Sequence, residues 1–155
     1  MTTASHYVSE VDALDWRVPE RFEAAFRWEY DDGREQLLNL YRKGKRQQWD
    51  AAERIDWSQD LDPENPAGLP DEMIAIFGSP AWHRLDERGR TRLRHHVQAW
   101  QMSQFLHGEQ GALICTAKIV QQVPNLDAKF YAATQVVDEA RHVEAFSRLL
   151  HEKYD

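Results

Sequence analysis

Residues 104–146 constrain the fold more than any other stretch of this chain. They form two apolar, helix-prone segments that meet across a short break, Val123-Pro124-Asn125. The first segment carries one acid, Glu109. The second carries Asp138-Glu139-Ala140-Arg141-His142. Glu139 and His142 are three residues apart, so a helix places both on one face, one turn apart. Glu109 lies fourteen residues before Val123, and Glu139 lies fourteen after Asn125. At about 1.5 Å of rise per residue, each acid sits about 21 Å from the turn. An antiparallel hairpin therefore brings Glu109 level with Glu139 and His142.

The neighbours of these acids sharpen the expectation. Helical spacing surrounds Glu139 with Ala132, Gln135, Val136, Val143 and Phe146, and Glu109 with Met102, Phe105, Leu106, Ala112, Leu113 and Thr116. Both acids fall on apolar stripes. A buried carboxylate without a partner is costly, so it must be protonated, paired or metal-bound. The spacing thus predicts that Glu109, Glu139 and His142 converge in the bundle interior and hold a metal ion. A buried polar network is the other reading. Two carboxylates and an imidazole suit iron or manganese. Zinc is compatible, whereas the imidazole disfavours magnesium and calcium.

A chain of 155 residues is long enough for one domain with a real core. With 42% hydrophobic and 29% charged residues, its composition is that of an ordinary soluble protein. A net charge of −7 argues against a nucleic-acid partner. The single Cys115 excludes an internal disulfide and fits a reducing compartment; its neighbours suggest a small core residue. No charged-then-apolar leader and no apolar run of membrane length is present, so a cytoplasmic protein with no membrane partner is expected.

Upstream, residues 1–18 read as an extended arm packed by Tyr7, Leu14 and Trp16. Residues 19–30 show a helical pattern starting at Pro19, and Asp31-Asp32-Gly33 break it. A second helix runs from Arg34 through Leu37, Leu38 and Tyr41 into the basic stretch 42–46, where Gly44 weakens it. That basic stretch reads as a solvated face. Trp49, Ile55 and Trp57 are expected to lid the core. Residues 58–70 hold three prolines and one glycine and read as a loop. A short helix from Pro70 to Phe77 follows, ended by Gly78-Ser79-Pro80. Asp86 is an N-cap for a long helix, whose arginines from Arg88 to Arg94 read as solvated. Gly108 and Gly111 flank Glu109 and suggest close helix contact or a bulge. Asn125 or Asp127 caps the last helix, which runs to about Tyr154. No strand pattern appears, so the fold class is all-α. One domain spans 1–155, with an N-terminal arm and helices over 1–70 and a metal-ligand helix pair over 71–155.

A lone Glu on one helix and the string DEARH on the next resemble half of the site in ferritin-like di-iron carboxylate proteins. The resemblance is specific over residues 104–150. It is to the oxygen-activating branch, which includes ribonucleotide reductase small subunits, bacterial multicomponent monooxygenases and aminobenzoate N-oxygenases. It implies a ferritin-like helical bundle, here a half-bundle. Glu109 would be a terminal ligand, Glu139 a bridging ligand and His142 a nitrogen ligand to one iron. Asp138 and Arg141 would stand behind the ligands and orient the imidazole. The partners implied are dioxygen and a small organic substrate. Phe146 occupies the place of the radical tyrosine, so a tyrosyl-radical subunit is not expected. The full site needs a second Glu and a second Glu-x-x-His, and no other Glu-x-x-His exists in the 155 residues. The sequence therefore reads as the N-terminal half of a longer protein, or as a half-site that a homodimer completes. A di-iron oxidoreductase is the first function expected; a non-catalytic helical protein keeping the fold is the second.

Overall fold

The computed structural model describes residues 21, 23–30 and 33–154. Among them the secondary structure is helical and no strand occurs. The elements are α1 (Glu35–Arg46), α2 (Ala51–Arg54), a 3-10 turn (Asp71–Met73), α3 (Pro80–His83), α4 (Glu87–Gln122) and α5 (Leu126–Lys153). With 36 residues, α4 is about 54 Å long. It folds back on α5 as an antiparallel hairpin, and α1 lies along the other side of α5.

Local chemistry fixes the hairpin's ends. The Asp86 carboxylate accepts the Gly89 N–H at 2.7 Å and starts α4. Val123 is extended, as the residue before Pro124 must be, and α4 ends there. Lys129 reaches back to donate to the Val120 and Gln121 carbonyls at 2.8 and 3.1 Å, which satisfies the last turn. Asn125 holds the cap position of α5, but its side-chain oxygen accepts from Arg27 instead, at 3.0 Å. Asp127 is buried in the first turn, where negative charge is favoured. Its carboxylate accepts the backbone and guanidinium N–H groups of Arg34 at 2.8 and 3.2 Å, tying the entry of α1 to the start of α5.

Ala99, Leu150 and Tyr154 form a buried cluster with Leu61, Met102, Leu106 and Leu149 packed on it. It sits at the end of the hairpin away from the turn. Along the rest of its length, α5 packs on α1. Tyr41 stacks on Phe130 at 5.3 Å, and Gly44 faces Thr134 so closely that a Cβ there would lie 3.0 Å from its hydroxyl. Gly44 is therefore the contact point of the two helices rather than a weak spot in α1.

Several expectations need correction. Residues 23–30 are not helical. They strap the hairpin turn: the Ala25 N–H donates to the Gln121 carbonyl at 2.8 Å, so tertiary bonding outweighs the local helical pattern. The helix expected from Pro70 to Phe77 is only the 3-10 turn followed by a turn over 75–78, in which Gly78 has φ of 70°. Trp49 and Trp57 are half-buried. Arginines cover them: Arg141 lies 4.7 Å from the Trp49 ring and Arg148 4.4 Å from the Trp57 ring, while Ile55 is exposed. Cys115 is exposed, not a core residue. Helix α4 runs unbroken through Gly108 and Gly111, and a Cβ at either would meet open space. The expected arm over 1–18, the start of the 19–30 helix and the Asp31-Asp32 break lie outside the described residues.

Candidate metal centre

Glu109 comes from α4, and Glu139 and His142 from α5. The equal arms of the hairpin bring them together. His142 Nδ1 lies 3.3 Å from Glu109 Oε2 and 3.1 Å from Glu139 Oε2. One ligand atom from each of the three residues lies within 4.8 Å of the others. Among the described residues this is the group of His, Cys, Asp and Glu side chains so disposed.

Two carboxylates that converge on one ring nitrogen repel each other unless a hydrogen-bond donor or a cation lies between them. The donor set fits a cation. Donors each about 2.1 Å from one ion stand about 3.0–3.6 Å apart, and the two measured separations fall in that range. The setting is more open than expected. The side chains of Glu139, Glu109 and His142 are 17%, 26% and 39% exposed, so the cluster sits at an open face and not in a sealed interior. Phe105 and Phe146 pack at 5.7 Å near it, with Phe105 still 46% exposed.

Asp138 and Arg141 pair with each other and turn toward α1. Arg141 is buried. It donates to the Gln48 side-chain oxygen at 2.9 Å and the Trp49 carbonyl at 2.8 Å. Gln48 in turn reaches Asp138 at 3.5 Å. These bonds pin the turn of α5 that carries Glu139 and His142 against the link between α1 and α2. Sequence reasoning missed Gln48 and Trp49, because nothing in their spacing relates them to residues ninety positions away.

It also missed a groove of about 410 Å³ between α1 and α5. Its first wall is Leu40, Lys43 and Gly44 of α1 with Gln47 at the end of that helix, and its α5 wall includes Tyr131, Gln135, Glu139 and His142. Positions 40, 43, 44 and 47 are a helical stripe. The signal was present, but the stripe mixes a leucine with basic, small and amide residues, so it did not read as a face.

A helical hairpin that gathers a lone Glu with a Glu-x-x-His defines the ferritin-like di-iron carboxylate class. Within that class, the chain belongs to the p-aminobenzoate N-oxygenase AurF family, whose family model matches residues 30–154. No curated protein and no solved structure matches it. The family is one of di-iron oxygenases, which use dioxygen and an organic substrate.

Proposed function

We propose that this chain provides one metal-binding helix pair of an oxygen-activating di-iron oxidoreductase, within a single ferritin-like domain. The observation that carries the reading is the meeting of Glu109, Glu139 and His142 at one point. Glu109 and Glu139 would supply anionic oxygens and His142 a neutral nitrogen, a set suited to iron and also to manganese. Bound iron would supply the activation of dioxygen. The chain's own part is to fix the donors. Asp138 and Arg141 hold the Glu139–His142 turn in place through Gln48 and Trp49, so they position ligands and do not bind metal. The family name directs the substrate reading to an arylamine bearing an acid group, oxidised at nitrogen. Phe146 offers no hydroxyl, which separates this reading from a tyrosyl-radical reductase subunit.

Three donors are half of the inventory such a site uses. The complementary Glu and Glu-x-x-His would come from a second copy of this chain or from a second helix pair in a longer natural protein. A cytoplasmic setting suits the free, exposed Cys115. No described helix is long and apolar enough to cross a membrane.

Anaerobic loading with Fe(II), followed by measurement of bound iron, tests the reading. Wild-type protein is expected to retain iron, His142→Ala to lose it, and Asp138→Asn to bind about 10–100-fold more weakly. Equal, negligible iron in wild type and His142→Ala would instead identify a non-catalytic helical protein that keeps the fold.

A further inference from the structure

The groove between α1 and α5 has a chemistry that the metal reading does not use. Glu139 and His142 line it at one side, so it opens onto the cluster. Gln47, Tyr131 and Gln135 contribute neutral hydrogen-bonding groups to its lining. Its two cations differ. Arg141 is committed to Asp138, Gln48 and Trp49. The Lys43 ammonium has no ion-pair or hydrogen-bond partner among the described residues. Gly44 brings α1 close to α5 at Thr134, and the neighbouring Lys43 lines the groove while remaining exposed.

Charge decides what such a groove accepts. With the cluster empty, Glu139 and Asp138 disfavour an anion. A cation held by Glu109, Glu139 and His142 neutralises Glu139 and leaves Lys43 as the uncompensated charge. We propose that Lys43 is a specificity-determining residue: it anchors the acid group of the substrate in this groove, with the rest of the molecule directed toward Glu139 and His142. This assignment rests on the reading of those residues as the reaction centre. It makes the affinity for an anionic ligand depend on metal loading, and it makes that affinity fall with added salt, because Lys43 is exposed.

Calorimetric titration of Fe(II)-loaded, oxygen-free protein with 4-aminobenzoate and with aniline tests it. The two probes share the ring and the amine and differ in the carboxylate. Wild type should favour 4-aminobenzoate by about 5-fold, the scale of one exposed ion pair. Lys43→Met should remove that preference, and Lys43→Arg should keep it. Iron content is measured on the same samples. If iron binds and Lys43→Met retains the preference, or if wild type shows none, the assignment is overturned while the metal reading stands. If wild type binds no iron and still prefers 4-aminobenzoate, the metal reading falls and the metal-dependent anchor assigned to Lys43 falls with it.

Discussion

At the scale of single residues, three glycines on helices have opposite meanings. Gly108 and Gly111 face open space, so their lack of a side chain costs helix stability for no visible contact. Gly108→Ala and Gly111→Ala are each expected to raise stability by about 1 kcal/mol, read from chemical denaturation. Gly44 is the reverse case, because Thr134 already crowds it. Gly44→Val should loosen α1 and lower stability despite removing a glycine. The metal-ligand candidates were legible at this scale, since counting residues from Pro124 fixes their level. Their exposure was not. An apolar stripe states that a face will be covered, but it does not state by what. Lys43 is exposed, as the solvated reading of its stretch has it, but its place at the groove was not legible. In sequence it belongs to a basic stretch, and only the packing of α1 on α5 separates it from Arg42 and Arg46, which lie outside the groove.

At the scale of elements, the long helices follow from their signals. Asp86, Pro124 and the apolar periodicity place α4 and α5 almost to the residue. The shorter elements do not, because tertiary bonds set them. The 3-10 turn is held to α4 by Asp71, which accepts from Arg94 at 2.6 and 2.8 Å. The Arg94 hydrogen bonds hold the Asp71 carboxyl below its ordinary value of 3.8. A depressed carboxylate stabilises the fold above the unfolded value and loses that effect as pH falls through the folded one. The turn should therefore stay docked at neutral pH and release only as the pH drops below 3.8. Asp71→Asn should release it at neutral pH, seen as increased amide hydrogen exchange over residues 69–77. Unchanged exchange would mean that the apolar contacts of Ile74 suffice.

At the scale of the molecule, the described residues leave much apolar surface uncovered. Trp100, Ile114 and Val137 are 52%, 60% and 54% exposed. Soluble monomers rarely carry so many large apolar side chains in the open. The chain is expected to associate. Sedimentation at increasing concentration should show pairing or precipitation, and a monomer stable across the range would refute this. The all-α class and the family were both readable from the DEARH string and the hairpin spacing. The covering of the outer faces was not readable, because it depends on surfaces that are no part of the hairpin.

The matched arms of the α4–α5 hairpin act as a ruler, and a ruler restricts how such a gene can change length. One residue inserted between the turn and either acid rotates that acid by about 100° and shifts it by about 1.5 Å, enough to part the three side chains. Seven residues added to both arms would return each acid to within about 20° of its face and only move the cluster along the bundle. Length variation in this region is therefore confined to the Val123-Pro124-Asn125 turn, or comes as coupled gains and losses on both sides of it.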